Sequence, residues 1–429
     1  MPDGHDAYAA LRNPNYRRLL LGTLLASAGG EMQSVAVGWE LYQRTDSATA
    51  LGLVGLVQFL PFLLLSLPAG HVADRYNRKY LLIVSRTGMA LASLGLALLS
   101  YYQGPIPLVY LCLLFIGTCG AFNFPARWSL LPQVVTESEL HNAITWNSSS
   151  WQVASVVGPG LGGLVIAVTG HAAGNYLLAA LFSLACAGLI ALIKPRAGGP
   201  SREALSLRSF LAGLHFVWAT QPVLATITLD LFAVLLGGAL ALLPIFAKDI
   251  LQVGPTGLGW LRAAPSLGAL TTALLLAHRP PMRRPGWSML WAVTGFGAAT
   301  IGFGLSRNFY VSFGLLALTG AFDNVSVVVR STLVQVLTPD GLRGRVTAVN
   351  AIFVVSSNEL GAFESGITAQ LFGPVISVVG GGIGTILVVL AVMLSWPQVL
   401  RLGPLRPTRR VVEEAERAQE ELAGRIATE

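Results

Sequence analysis

The chain has 429 residues, of which 53% are hydrophobic and only 11% charged. Soluble proteins carry about 25% charge, so an ordinary water-soluble globule is excluded. The net charge of +7 comes from basic residues gathered in particular loops, which points to membrane topology and away from nucleic acid.

Residues 1–18, MPDGHDAYAALRNPNYRR, lack the apolar core and cleavage site of a signal peptide. After them, apolar runs recur at the length of roughly 20 residues that a helix needs to cross a bilayer. In lipid each backbone polar group must be satisfied within its own segment, so helices are expected; the short alternating segments of a membrane barrel are not seen. The runs fall at 18–41, 48–72, 80–101, 107–131, 140–168 and 172–193, then at 222–250, 257–277, 287–305, 310–337, 342–371 and 375–396. The expected fold is an all-α membrane protein of about twelve transmembrane helices in two pseudo-symmetric six-helix bundles. The first bundle is 1–193, and a Pro/Gly/Ser-rich cytoplasmic linker covers 194–221. The second bundle is 222–396, and a charged, helix-prone tail covers 397–429.

Loop charges set the orientation. Arg12, Arg17 and Arg18, then Arg75, Arg78 and Lys79, then Lys194, Arg196, Arg202 and Arg208 occupy alternate connections, followed by Arg279, Arg283 and Arg284, and by Arg343 and Arg345. The connections between them hold little more than Arg44, Lys248 and Arg307. This bias predicts that both termini are cytoplasmic.

An internal repeat links the halves. LLPQVVTESELHNAIT, from Leu130, aligns with TLVQVLTPDGLRGRVT, from Thr332. GLVQFLP, from Gly55, aligns with GWLRAAP, from Gly259, which brings Arg75 onto Arg279 but Asp74 onto His278. Two parallel six-helix repeats are a transporter layout with the pathway between halves, although channels and membrane enzymes also contain repeats.

Gly70, Asp74, Arg75, Arg78 and Lys79 form G-x-x-x-D-R-x-x-R-K after the second run. Positive-inside anchoring accounts for the basic residues but not for Gly70 or Asp74. The pattern resembles the signature loop of the major facilitator superfamily. That resemblance implies the major facilitator fold, with the cluster acting as a cytoplasmic gate that latches the halves in one state of alternating access. VASVVGPGLGGLVIA, in the fifth run, resembles the G-P-x-x-G-G pattern of many exporters, carried by Gly158, Pro159, Gly162 and Gly163; helix packing is the competing explanation. NPNYRRLLLG, GGEMQSVAVGW, LLPIFAKDIL and LTPDGLRGRV resemble the branch that includes the enterobactin exporter and macrolide-efflux proteins. The fourth run, FIGTCGAFNFPAR, lacks the mid-helix arginine of many drug/proton antiporters, so their coupling scheme does not transfer directly.

Ionisable residues inside a membrane are costly and usually face the bundle interior. Glu31, Asp230, Arg262, Asp323, Glu359 and Glu364 are the candidate proton or substrate site, and Glu31, beside Gly29, Gly30 and Gln33, leads them. The bland alternative is a set of buried ion pairs, such as Asp230 with Arg262. Arg86 and Arg127, near the cytoplasmic ends, are expected to join the latch network or to snorkel.

The cysteines Cys112, Cys119 and Cys186 read as small core residues, and the six histidines are scattered, so no metal, cofactor or catalytic residue is expected. No G-x-x-x-x-G-K-[ST] loop for ATP occurs. The function expected is secondary active export of small amphipathic molecules, drug or siderophore, by proton antiport. Its partners are the substrate, protons and membrane lipids. The protein is expected to be a monomer in a bacterial-type cytoplasmic (inner) membrane and not an enzyme. A lipid or lysophospholipid flippase of the same fold and a non-transporting sensor are the alternatives.

Overall fold

The computed structural model describes residues 6, 8–195, 207–279, 282, 284–339 and 341–401, with the side chains of Leu67, Asp74, residues 207–210 and Arg401 outside it. The middle of the expected linker, 196–206, and the tail from 402 lie outside the described residues. Twelve long helices follow one another. They are α1 (Pro14–Thr45), α2 (Ala48–Arg75), α3 (Arg78–Tyr101), α4 (Ile106–Val134), α5 (Glu137–Thr169), α6 (Ala173–Ala191), α7 (Gln221–Leu236), α8 (Gly254–Ala277), α9 (Pro285–Leu305), α10 (Phe309–Leu337), α11 (Arg343–Phe372) and α12 (Pro374–Ser395). No strand occurs among the described residues.

Eleven helical segments are long and apolar enough to cross a membrane. The exception is α1, which has ample length at 32 residues but carries Arg17, Arg18, Glu31, Glu40 and Arg44. Those charges are partnered inside the protein, as described below for Glu31, Glu40 and Arg44, which is how a polar helix is kept in a membrane bundle.

Helix starts follow local chemistry. Asn13 caps α1 by accepting from the backbone N–H groups of Asn15 and Tyr16, with Pro14 in the first turn. Ser47, Asn77 and Asn308 cap α2, α3 and α10 in the same way. Thr136 and Glu139 form a capping box that starts α5 at Glu137, three residues ahead of the expected run. In the second repeat Gly341 stands where Glu139 stands in the first. No such box can form there, and α11 starts only at Arg343.

The seventh run, expected as one helix over 222–250, is broken. Its regular part stops at Leu236 and is followed by a 3-10 turn at Ala239–Leu242, a short turn at Leu243–Ile245 and a π-helical turn at Phe246–Ile250. Pro244 has no N–H and its ring excludes the carbonyl four residues back, while Gly237 and Gly238 weaken the helix just before it. The break is tightly enclosed: a Cβ on Gly238 would lie 2.6 Å from the Gly361 carbonyl oxygen, and one on Gly381 2.0 Å from that of Leu236.

The chain forms two compact units. One comprises the described residues within Met1–Ala204 together with Leu243–Ala263, and the other those within Leu205–Leu242 together with Ala264–Glu429. By connectivity the α7–α8 hairpin, 243–263, belongs to the second half of the sequence; by contacts it belongs to the first unit. In the first unit α1 packs on α5 and α6, α3 packs on α4 and α6, and α2 packs on α4. In the second, α7 packs on α11 and α12, and α9 packs on α10 and α12. There α8 meets α10, where Cβ atoms on Gly268 and Gly320 would lie 1.7 Å and 1.9 Å from the carbonyl oxygens of Ala317 and Pro265. Adding six to each helix number converts the first set of contacts into the second, which gives the sequence repeat a structural form. Part of the expected linker is a helix, Leu207–Ala219, whose Phe216 and Val217 are buried with Val346 and Val349 of α11.

Candidate functional site

Four groups of predicted residues can be placed. The first is the signature loop at the α2–α3 junction. Gly70 is buried in α2 and Arg75 is exposed at its end. Arg78 opens α3, and its buried Nε has no hydrogen-bond partner among the described residues. Lys79 Nζ donates to the carbonyl of Ile193 at 2.8 Å, which ties α3 to the end of α6. The side chain of Asp74 lies outside the described residues. The same end of the first unit is tied together by α1. Asn13 Nδ2 donates to the Val134 carbonyl (2.7 Å), Tyr16 Oη to that of Ala143 (2.7 Å) and Arg18 to that of Leu192 (2.8 Å). The NPNYRR segment therefore fastens α1 to α4, α5 and the end of α6.

Arg86 is buried on α3, and Arg127 on α4 donates to Asn147 Oδ1 at 3.0 Å. Both retain an Nε with no partner among the described residues.

The second group is the fifth-helix motif. A Cβ on Gly158 would meet Cβ of Glu31 at 2.6 Å, and one on Gly162 would meet Cα of Met32 at 3.0 Å. Gly163 faces the hairpin instead: its Cβ would lie 2.3 Å from the Pro255 carbonyl oxygen and 3.1 Å from Cα of Gly259. The glycines thus seat α1 on one side and the start of α8 on the other, as small residues do where membrane helices approach closely.

The third group surrounds Glu31. The expected pairing of Asp230 with Arg262 is not formed. Arg262 donates to Ser34 Oγ at 2.6 Å, and its Nε lies 3.9 Å from Glu31 Oε2, with both side chains about 30% exposed. Helix periodicity puts Glu31 and Ser34 on one face of α1, three residues apart; only the packed hairpin brings Arg262 to that face. Further along, Tyr42 Oη donates to Asp249, and Lys248 binds Asp46 at 2.6 Å while lying over the Tyr42 ring. Glu40, which is not among the residues expected from the sequence, is buried, bonded by Arg44 at 3.1 Å and by Tyr176 Oη at 3.0 Å. Its i, i+4 spacing to Arg44 was the available signal.

The fourth group lies in the second unit, around a cavity of about 200 Å³ beside the break in α7. Asp230 and Arg330 form an ion pair there, with side chains only 8% and 6% exposed. Asp323, Thr319 and Asn358 also line the cavity. Glu359 and Glu364, on α11, are not part of its wall; Glu364 accepts a long hydrogen bond, 3.5 Å, from Ser365.

This arrangement has counterparts among known proteins. The profile of the transmembrane secretion effector family, a branch of the major facilitator superfamily, matches residues 5–407. This chain belongs to that family. The transporter is 28% identical over 404 residues to the enterobactin exporter EntS of Shigella boydii serotype 18, covering 92% of this chain and 95% of that one. It matches EntS of Escherichia coli O1:K1 with the same identity and coverage. In fold it resembles a bacterial homologue of the human lysosomal transporter Spinster in an inward-facing, occupied conformation (TM-score 0.72, 14% identity, 90% of this chain and 97% of that one). It also resembles the nucleoside transporter NupG (TM-score 0.71, 11% identity, 89% and 99%). The transporter is a multi-pass membrane protein.

Proposed function

We propose that this secondary transporter, which exports small molecules, moves amphipathic compounds of the drug or siderophore type outward by alternating access, in exchange for protons. The observation that carries the reading is the likeness to a siderophore exporter along 92% of the chain. Proton exchange is supported by carboxylates on membrane-spanning helices, among them Asp230, Asp323, Glu359 and Glu364, and by Glu31 on α1, groups that such positions retain for function. The loop charges support a cytoplasmic location for both termini in an inner membrane. On that topology Gly70, Asp74, Arg75, Arg78 and Lys79 form the cytoplasmic latch, and Asp74→Asn slows alternation without loss of folded protein.

The test is efflux from proteoliposomes containing the full chain under an imposed pH gradient, screened over catecholate siderophores, macrolides, organic cations and lysolipids. Accumulation of a siderophore or drug that collapses with a protonophore is the expected result. Movement of lysolipids alone makes the chain a flippase. Movement that ignores the pH gradient removes proton exchange.

A further inference from the structure

The cavity of the second unit holds more charge than its ion pair accounts for. Its wall carries three ionisable side chains: Asp230 from α7 and Asp323 and Arg330 from α10. Arg330 is held by Asp230. Asp323 lies seven residues before Arg330 on the same helix, about 10 Å along the axis. Among the described residues no hydrogen bond or ion pair reaches its carboxylate, whereas Arg330 has Asp230 and Glu31 has Arg262. The helices α8, α9 and α11 present Pro265, Thr300 and Asn358, among others, and no charged side chain to this space.

Size narrows what the cavity can take. Pockets for drug-sized ligands run from about 300 to 1,000 Å³, whereas about 200 Å³ holds a few waters at about 30 Å³ each. The space suits an ion and its water better than an amphipathic substrate. Ionising an unpartnered carboxylate inside a membrane is costly, and neutralising it removes the cost.

We propose that Asp323 carries the coupling proton, within a water-sized cavity of the second unit that is separate from the path of the exported molecule. This rests on the proton-exchange reading above and assigns its site. The cycle is balanced: the Asp323 carboxylate binds one proton from the outer side and returns to the carboxylate on releasing it inside. The break in α7 supplies the means of release. Asp230 stands on α7 seven residues before Gly237, so a change at Gly237–Gly238 alters its grip on Arg330. Positive charge freed from Asp230 is then available to stabilise ionised Asp323.

The test needs no substrate, so it stands or falls separately from the efflux screen. The carboxylic-acid C=O band of the purified full chain is followed by infrared spectroscopy during a pH titration. Loss of one titrating band is expected in Asp323→Asn and not in Glu31→Gln. Asp323→Glu, which keeps the acid, is expected to retain the band with a displaced midpoint, and it serves as the second variant if Asp323→Asn misfolds by size-exclusion chromatography. An unchanged band in folded Asp323→Asn, or an unmoved midpoint in Asp323→Glu, overturns the proposal. So does a midpoint that shifts with sodium concentration, which would make the site one for sodium. In proteoliposomes, Asp323→Asn is expected to retain exchange of the exported compound along its own gradient and to lose accumulation driven by the pH gradient; retained accumulation also overturns it.

Discussion

The two polar clusters of the membrane region are built on opposite terms. In the second unit Asp230 and Arg330 are almost fully buried and bound to each other, and Asp323 stands beside them without a partner. In the first unit Glu31 and Arg262 are about 30% exposed and 3.9 Å apart, and Arg262 makes its shorter bond to a neutral serine. A tight buried pair is fixed, because separating it strands a charge in a medium that cannot solvate it. A loose, part-exposed pair can open at little cost. The contrast assigns permanence to the first arrangement and reversibility to the second. It also explains why the hairpin that brings Arg262 to α1 is fastened by several modest contacts rather than by one strong one.

Breaking the fixed pair tests the contrast most severely. Arg330→Ala leaves Asp230 buried and unpaired and is expected to cost about 3–5 kcal/mol, read as a lower melting temperature in detergent. The double variant Asp230→Leu/Arg330→Met recovers most of that loss. Next comes the glycine seat of the hairpin. Gly163→Leu places a side chain where even a Cβ would lie 2.3 Å from a backbone oxygen, so it is expected to displace Pro255 and Gly259. The overpacking costs about 1–3 kcal/mol and abolishes transport in proteoliposomes while leaving α2–α4 intact. The loose pair gives a smaller signal. Glu31→Gln and Arg262→Ala are each expected to slow transport several-fold, and together to do no worse than either alone, because they remove one shared contact; additive losses would separate them. The smallest effect belongs to Asp46→Ala. Its side chain is 73% exposed, so loss of the Lys248 contact is expected to change stability by about 0.2–1 kcal/mol, and less at high salt.

Legibility from sequence differs from part to part. The spans can be read to within a few residues, because apolar length is a property of a segment alone. The start of α5 lies three residues ahead of its apolar run because Thr136 and Glu139 act through a capping box, a signal present in TESE but masked by the polar character of the residues around it. The break in α7 is also written in the sequence, in GGALALLP, but composition over a 29-residue window hides a local backbone fault. The glycines of the fifth helix are recognisable as a motif, yet nothing in their spacing says that Gly158 and Gly162 face α1 while Gly163 faces the hairpin.

Pairing is the least legible. Asp230 and Arg262 look like natural partners, since both are isolated opposite charges on consecutive spans. The actual partners, Arg330 for Asp230 and Glu31 for Arg262, lie 100 and 231 positions away in the chain, and no periodicity relates them. By itself the sequence determined the class, the helices, the repeat and the family likeness, because hydropathy, charge and turn chemistry act over a few neighbouring residues. Only the tertiary structure decided which charges neutralise one another, which carboxylate is left over and where there is room for water beside it, because charge compensation and cavity shape depend on distances between residues remote in the chain.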